Sequence, residues 1–436
     1  MGVQTWIFIS DPVLAQEIFM THGVATSDRL SHRFFNYYSH GGRGIICSNA
    51  GKGWQRARTA ALSILAPQRV NEFTDVLLYE ADILVEQLLS RSQLYGQVDP
   101  STYLQNAAMN VILTTCFATR INSPESQLFK DIMEHMHGGL KMVGIENDLG
   151  QFLPIMSALD VILGKEKVYS DYVGKCRDPL LVRLIEEALS SGKDSMMKTL
   201  VALKEEYGLN DKDIIVIMSD LLGGGTDTSF VTMSWMIVIL SHYDDVQKKI
   251  QAELDTFIRA HGRLPVFEER DQIPYTIAVQ KECIRYKSVN SFAMPHMASR
   301  DLMVRDYFIA KGTVLVANTI GMHMNPDVYP DPETFKPERF LNNTRTMTSS
   351  ANGDVNQRDH FIFGWGRRVC PGIYLAEVEM FHIFVRIFAN ASIAPPLDVD
   401  GKEVPIDMDT VLDTGLLIMP QPYQVRFIPR VDSPLR

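Results

Sequence analysis

The chain has 436 residues, of which 46% are hydrophobic and 22% charged, a balance that is typical of globular proteins and excludes disordered and fibrous classes. Its 42 Lys and Arg residues against 52 Asp and Glu residues give a net charge of −10 without a basic cluster, which argues against nucleic acid as a partner. The five cysteines include no Cys-x-x-Cys pair, a pattern that is typical of proteins from a reducing compartment.

One domain is predicted over residues 1–436, because no flexible linker, charged run or internal repeat divides the chain. No stretch reaches the roughly 18 unbroken apolar residues that a membrane-spanning helix needs. The start, residues 1–9, also lacks the basic flank and long apolar run of a signal peptide. We therefore expect no membrane anchor in the chain as given.

Apolar residues recur at intervals of three and four along most of the first two-thirds of the chain, and this periodicity predicts a helical body. The predicted helices span residues 70–90, 101–116, 168–190, 211–241, 244–260 and 275–287. The predictions after residue 287 are short strands at 304–309 and 313–318, a proline-rich loop at 325–340 and a last helix at about 372–389. The predicted fold class is therefore mainly α with a small β part.

The predicted helix 211–241 carries three consecutive glycines, 223–225, in its middle. Each glycine costs a helix roughly 1 kcal/mol relative to alanine, so an ordinary core helix gains nothing from them. One interpretation is a functional site, in which a planar ligand or small molecule lies against the backbone while Asp227 and Thr228 relay protons. The other interpretation is a helix break, with Thr226 or Asp227 as the N-cap of a new segment.

A glycine-rich segment, 363–372, precedes the last predicted helix and contains Cys370. A lone cysteine is most often a small buried residue, but the glycines allow tight turns whose N–H groups can point at the sulfur. The start of the following helix adds the positive end of its dipole, and both effects favour the thiolate. Such a thiolate could act as a metal ligand, or as a nucleophile, for which His360 and His382 are the nearest histidines in the chain.

Five residues of this segment match the pattern Phe-x-x-Gly-x-Arg-x-Cys-x-Gly, which resembles the haem-binding signature of cytochrome P450. They are Phe363, Gly366, Arg368, Cys370 and Gly372. The resemblance implies the cytochrome P450 fold and haem b as cofactor, with Cys370 as the thiolate ligand of the iron. It also implies that Phe363 packs on the ligand side of the loop, and that Gly366 and Arg368 belong to the cofactor-binding set.

Four further motifs follow in the order of that family. Residues 224–229, Gly-Gly-Thr-Asp-Thr-Ser, resemble its oxygen-binding helix motif, and residues 282–285 resemble its Glu-x-x-Arg motif. Residues 337–340 resemble its Pro-Glu-Arg-Phe element, and residues 54–58 resemble the Trp-x-x-x-Arg element of an early helix. The chain is identified on these motifs as a member of the cytochrome P450 family, of the eukaryotic microsomal and fungal type.

The resemblance implies roles for the remaining site residues. The side chains expected to reach the haem propionates are those of Arg368, Trp54, Arg58 and His296, each of which would otherwise be an ordinary surface or core residue. Gly225 is expected to open the long helix beside the iron for dioxygen. Asp227 and Thr228 are the implied catalytic pair, which passes protons during oxygen activation.

Glu282, Arg285 and Arg339 resemble the buried Glu-Arg-Arg triad of the family, whose role is to support the haem loop. One departure follows the Glu-x-x-Arg motif, where the family commonly has a proline and this chain has Ser288. We therefore expect a less constrained chain path from there toward His296.

The function implied is that of a haem-thiolate monooxygenase, which inserts one oxygen atom from O2 into a lipophilic small molecule in secondary metabolism. Electrons are expected from NADPH through NADPH-cytochrome P450 reductase, because the chain carries no dinucleotide-binding motif of its own. The alternatives are a redox-neutral isomerase or dehydratase that uses the same haem-thiolate site, and a noncatalytic haem-binding protein.

Microsomal members of the family carry an N-terminal anchor helix and a first strand, which we expect to be missing here through truncation. The full-length parent is then expected on the cytosolic face of the endoplasmic reticulum membrane. The apolar segment 152–156 could still contact a membrane surface, although an ordinary buried loop is the alternative.

Overall fold

Helices make up most of the structure, a computed structural model that describes residues 2–435, without the side chains of residues 145 and 146. The α-helices are α1 (Pro12–Gln16), α2 (Arg33–Tyr38), α3 (Lys52–Ile64), α4 (Pro67–Asn71), α5 (Thr74–Tyr95), α6 (Ser101–Phe117), α7 (Gln127–Val143), α8 (Leu149–Phe152), α9 (Ser157–Ile162), α10 (Lys165–Asp171), α11 (Asp178–Ser190), α12 (Met196–Ala202), α13 (Asp211–Leu240), α14 (Asp244–His261), α15 (Pro274–Tyr286), α16 (Thr319–His323), α17 (Met347–Ala351) and α18 (Ile373–Asn390). Short 3₁₀ turns span Ile145–Asp148, Pro154–Met156, Phe267–Gln272, Pro337–Phe340, Val355–Gln357 and Gly366–Arg368, and π-helical turns span Glu17–Thr21 and Tyr172–Arg177.

Short strands form the small β part, and the predicted fold class is confirmed. The strands are β1 (Trp6–Ile9), β2 (Asp28–Arg29), β3 (His296–Met297), β4 (Leu302–Val304), β5 (Tyr307–Ile309), β6 (Val314–Ala317), β7 (Ala391–Ala394), β8 (Val411–Asp413), β9 (Ile418–Pro420) and β10 (Arg426–Pro429). One four-stranded sheet has the order β1-β6-β3-β2, in which β1 and β6 are parallel and the other pairs antiparallel. Its last pair sets Arg29 opposite His296, a register that matters for the site.

Two predicted helices are interrupted for local reasons. The predicted helix 70–90 is two helices, α4 and α5, because the backbone at Phe73 leaves helical geometry. The predicted helix 168–190 consists of α10 and α11, joined by a π-helical turn at Tyr172–Arg177. Pro179, the second residue after that turn, has no N–H to donate to the preceding turn, which disturbs the regular hydrogen-bond ladder.

The predicted strand 304–309 is wrong as a single strand. Arg305 has a positive φ of 52° and turns the chain there, so β4 and β5 pair as a hairpin. The predicted strand 313–318 is confirmed as β6, which pairs with β1, a strand that the sequence analysis does not predict.

The long helix α13 is continuous through its three glycines, so the helix-break interpretation is wrong. A capping box begins the helix: the Asn210 side chain accepts from the Asp213 N–H over 3.1 Å, and the Asp213 carboxylate accepts from the Asn210 N–H over 2.9 Å. The second half of α13 is buried, and the helix packs along α6 in the core. Among the described residues, α13 is the one helix long and apolar enough to cross a membrane, although its burial is that of a core helix.

A buried ionic cluster joins α15 to the proline-rich loop. Glu282 accepts two N–H groups from Arg285, each over 2.7 Å, and one from Arg339 over 3.1 Å. The backbone N–H of Lys336 donates to the same carboxylate over 2.8 Å. Arg285 also donates to the backbone carbonyl of His323 over 3.2 Å. The structure thus contains the buried triad that the resemblance implies, with its charges and hydrogen bonds satisfied.

Replacing Arg285 by alanine should lower the free energy of unfolding by about 3–5 kcal/mol, because the fully buried Glu282 carboxylate loses its bidentate partner. Urea unfolding measures this cost. Arg339→Ala is the matched control, since Arg339 donates a single bond to the same carboxylate and is partly exposed, and it should cost less. Equal costs for the two variants would contradict this account of the triad.

Candidate functional site

Cys370 lies at the end of a tight loop that Phe363 begins. The Cys370 N–H donates to the Phe363 carbonyl over 2.8 Å and closes the loop. Gly364 and Gly366 within it have positive φ angles of 74° and 51°. A Cβ atom at Gly366 would lie 2.4 Å from the carbonyl oxygen of Phe19, so only glycine fits this position. The loop therefore holds the cysteine in one place, just before α18.

The surroundings of the Cys370 sulfur change its pKa in opposite directions. Burial raises the pKa of the thiol, while a hydrogen bond from the Gly372 N–H and the charge of Arg58 lower it. The predicted backbone donor is therefore present at Gly372. The expectation that the protein alone favours the thiolate is not met, because burial is the largest effect. A cation bound to the sulfur would reverse this balance, since metal coordination deprotonates a thiol.

Three buried or partly buried guanidinium groups, those of Arg29, Arg58 and Arg368, lie close enough to repel one another. Burial first, and then repulsion by neighbouring arginines, lowers the pKa of Arg29 to about 10 and the pKa of Arg368 to about 8. Their N–H groups donate to backbone carbonyls, which are those of Ile46, Met294 and Pro295 for Arg29, Val369 for Arg58, and Ser27, Ile45 and Ser48 for Arg368. Carbonyl groups satisfy the donors but leave the positive charge in place.

Trp54 and His296 complete the predicted set around these charges. The Trp54 indole N–H donates to a backbone carbonyl over 3.2 Å, and the Arg368 guanidinium lies 4.2 Å from the centre of its ring. His296 lies opposite Arg29 in the β2–β3 pair, and its Nδ1–H donates to the Thr26 carbonyl over 2.7 Å. Burial, followed by the charges of Arg29 and Arg368, holds the pKa of His296 well below its usual range.

Arg29 belongs to this cluster, although the sequence analysis does not single it out. It lies in a two-residue strand without a recognisable motif, and the β2–β3 register alone brings it beside His296. The cluster fits the two propionate groups of haem, because two carboxylates supply negative charge and accept bonds from guanidinium, indole and imidazole groups. Together with the sulfur of Cys370, the residues present fit an iron porphyrin.

The glycines of α13 have different surroundings. Gly224 is exposed, and its carbonyl accepts the Thr228 hydroxyl over 2.6 Å. A Cβ atom at Gly225 would lie 2.4 Å from the Ile112 side chain, so this glycine allows α13 and α6 to pack closely. Gly225 thus has a packing role, and its role beside the iron stays a prediction. The open face of the helix belongs to Gly224.

Asp227 and Thr228 have different partners in the structure. Burial raises the pKa of Asp227 to about 7, opposed by a hydrogen bond with Gln105 of α6. The next residue, Ser229, donates its hydroxyl to the buried carboxyl group of Glu379 on α18 over 2.9 Å. Burial raises the pKa of Glu379 to about 8. Burial thus favours the protonated form of two carboxyl groups on or beside this motif, that of Asp227 and that of Glu379, which contacts Ser229.

The nucleophile interpretation of Cys370 requires a base at the sulfur. His360 and His382 are buried, and burial lowers the pKa of both imidazoles. The ring of His360 packs 5.3 Å from that of Phe363, centre to centre. The hydrogen-bond donor at the sulfur is instead the backbone N–H of Gly372, an arrangement that suits a metal ligand.

Replacing Arg29 by alanine should weaken the affinity for hemin by about tenfold or more, since a hydrogen bond to a charged group contributes about 1.5–3 kcal/mol. Titration of the haem-free protein with hemin measures this change. Arg305→Ala is the control, because Arg305 is an exposed arginine whose ion pair joins it to Glu17 on the surface. A hemin affinity for Arg29→Ala that equals that of the control would exclude Arg29 from the propionate set.

Comparisons with known proteins show the family of this chain. The family model for cytochrome P450 matches residues 1–427. Cytochrome P450 monooxygenase yanC of Aspergillus niger is 32% identical over 62% of this chain. The matched part covers 50% of the length of that relative. Cytochrome P450 monooxygenase verH of Penicillium polonicum is 25% identical over 99% of this chain and 81% of its own length. A zebra fish cytochrome P450 solved with progesterone has the same fold, with a TM-score of 0.82 at 23% identity over 99% of this chain and 95% of its own. The chain belongs to the cytochrome P450 family and resembles its fungal monooxygenases.

Proposed function

We propose that the chain is a haem-thiolate monooxygenase, folded as one domain over residues 1–436, that hydroxylates or epoxidises a lipophilic small molecule with one oxygen atom from O2. The observation that carries this proposal is the Cys370 sulfur on its closed glycine loop, beside a buried arginine cluster without acidic partners in its hydrogen bonds. A thiolate ligand for iron and a site for two carboxylates, side by side, would suit a haem-thiolate centre. The fungal relatives support the reaction class, and secondary metabolism is the proposed setting.

Haem bound at Cys370 supplies an iron centre that activates oxygen once it receives electrons. The residues of this chain hold and tune that group. Cys370 provides the thiolate, and the Gly372 N–H spreads part of its negative charge. Arg29, Arg58 and Arg368 would hold the propionates and offset their negative charge.

Thr228 and Asp227 are the proposed proton-handling pair. The Thr228 hydroxyl donates to the Gly224 carbonyl, and rotation of its side chain lets it donate instead to a reacting oxygen beside the open face of the helix. Asp227, with a pKa of about 7, can hold a proton and release it near neutral pH. A redox-neutral isomerase or dehydratase does not need such a pair, and a noncatalytic haem-binding protein does not need it either.

The proposed partners are a lipophilic substrate and NADPH-cytochrome P450 reductase as the electron source. Two zebra fish neighbours in fold were solved with progesterone and with abiraterone, and we propose a small apolar molecule for this chain by analogy. The proposal that electrons come from NADPH through a separate protein rests on the absence of a dinucleotide-binding motif from the sequence.

We also propose that residues 153–163 contact the endoplasmic reticulum membrane from its cytosolic face. The segment exposes large apolar side chains at Leu153, Ile155, Val161, Ile162 and Leu163, with Ile155 86% and Ile162 80% accessible. Of the predicted membrane-contact segment 152–156, only Phe152 is buried, so the alternative of an ordinary buried loop is wrong for the rest. Clustered exposed apolar residues are typical of a membrane or protein contact.

The ferrous carbon-monoxide complex of the purified holoprotein tests the ligand. We expect the Soret band of thiolate ligation in the unmodified protein and its loss in Cys370→Ala. The control Cys176→Ala should retain the band, because it removes a partly buried cysteine in the π-helical turn before α11. A full thiolate Soret band in Cys370→Ala would overturn the proposed function.

Turnover should require both O2 and NADPH with the reductase, whereas an isomerase or dehydratase would turn over without them. Thr228→Ala should lower the product formed per NADPH consumed by about tenfold or more, because an acid–base group contributes about 10²–10⁴ in rate. Thr232→Ala is the matched control, since the Thr232 hydroxyl also bonds a carbonyl of its own helix, that of Thr228. Unchanged coupling in Thr228→Ala would remove Thr228 from the mechanism.

The double variant Ile155→Asp/Ile162→Asp should lower sedimentation with phosphatidylcholine vesicles by about tenfold or more, since burying one such side chain contributes about 1.5–3 kcal/mol. Val399→Asp/Val431→Asp is the control, because both valines are exposed elsewhere on the surface. Equal vesicle binding by the two double variants would contradict the membrane contact.

A further inference from the structure

Ser288 makes a buried hydrogen bond that the sequence pattern does not anticipate. Its Oγ lies 2.6 Å from Nδ1 of His323, and both residues are buried. The other ring nitrogen of His323, Nε2, accepts the backbone N–H of Phe361 over 2.9 Å. The imidazole of His323 therefore connects the chain just after α15 to the segment that leads into the cysteine loop.

The two bonds together determine the tautomer of His323. A backbone N–H can only donate, so Nε2 must carry a lone pair. The buried imidazole is neutral, because burial and the charges of Arg285 and Arg358 lower its pKa to about 3. Its single proton is then on Nδ1 and is donated to the Ser288 hydroxyl oxygen.

The position of Phe361 matters because the cysteine loop begins two residues later. Phe361 is 1% exposed and its ring stacks on Trp365, within the loop, at 5.5 Å between centres. The Phe363 carbonyl then accepts the Cys370 N–H. A backbone bond at Phe361 thus fixes the segment from which the cysteine loop departs.

Residues of one segment act on both ends of His323. Arg285 donates to its backbone carbonyl over 3.2 Å, and Ser288, three residues later, holds its ring. The expectation that serine in place of proline leaves the backbone path toward His296 less constrained stays a prediction. The Ser288 hydroxyl makes a hydrogen bond to His323 that a proline side chain, which has no polar group, could not make.

We propose that Ser288 is a positioning residue for the haem-thiolate loop, which acts by holding His323 in the Nδ1–H tautomer that accepts the Phe361 amide. Without the hydroxyl, the Nδ1–H of His323 would be buried without this acceptor. If the proton moved to Nε2 instead, that N–H would point at the Phe361 N–H, and neither group could accept. Either outcome loosens the segment before Phe363. This inference rests on the proposed function in one respect, because the Soret band that reports on the loop requires haem bound at Cys370.

The variants that test it are Ser288→Ala, which removes the acceptor, and Ser288→Thr, which keeps a hydroxyl. Ser241→Ala is the matched control, because Ser241 has the same 6% exposure and its hydroxyl bonds only a carbonyl of α13. His323→Gln serves to assign the His323 signals.

The first measurement is the imidazole ¹⁵N spectrum of ¹⁵N-histidine-labelled holoprotein as its diamagnetic ferrous carbon-monoxide complex. We expect His323 to be protonated at Nδ1 in the unmodified protein, in Ser288→Thr and in Ser241→Ala, and to lose this single state in Ser288→Ala. Protonation at Nε2 in the unmodified protein would overturn the proposal, even if Ser288→Ala did not fold.

The second measurement is the rate at which the ferrous carbon-monoxide complex loses its thiolate Soret band in mild urea. Ser288→Ala should lose it about tenfold faster, which corresponds to about 1.4 kcal/mol, while Ser288→Thr and Ser241→Ala stay within about twofold of the unmodified protein. Equal rates for Ser288→Ala and Ser241→Ala would overturn the positioning role. The absence of a thiolate band from the unmodified protein would instead refute the proposed function, and the histidine spectrum would still test the hydrogen bond.

Discussion

Burial of charge is the constraint on which the site depends. Arg29 and Arg368 are each less than 10% exposed, and Arg58 adds a third guanidinium group that repels them. Burial also raises the pKa of the Cys370 thiol, and the charge of Arg58 opposes this only in part. Arginine groups need negative charge, and a buried sulfur needs a cation if it is to be a thiolate. Haem would meet both requirements, because its iron would bind the sulfur and its propionates would supply the negative charge.

The rest of the fold keeps this arrangement rigid through bonds between distant segments. Glu282 and Arg285 lie three residues apart near the end of α15, and Ser288 follows three residues later, just after the helix. The first two hold the proline-rich loop and the backbone of His323, and the third holds the ring of His323. The His323 ring in turn accepts the Phe361 N–H, two residues before the cysteine loop begins, and this bond connects the end of α15 to that loop.

Neighbouring glycines of one motif in helix α13 have different surroundings. Gly225 allows contact with Ile112, whereas the adjacent Gly224 leaves the helix face open and offers its carbonyl to Thr228. The capping box at Asn210 and the buried second half hold the helix in place without the glycines. The cost of three glycines in a helix is thereby offset by tertiary packing, which is why the helix does not break.

Local sequence information determined two of the long helices and the cysteine loop. Predicted helices 101–116 and 211–241 agree with α6 and α13 to within one residue, because periodicity and capping act over a few neighbouring residues. The motif around Cys370 likewise lies within ten residues, and its glycine turns are local geometry. Tertiary structure alone decided the place of Arg29, the bond between Ser288 and His323, and which glycine of α13 faces Ile112. Each of these depends on strand register, burial or contact between segments far apart in the chain, and no short window of sequence contains the atoms that produce them.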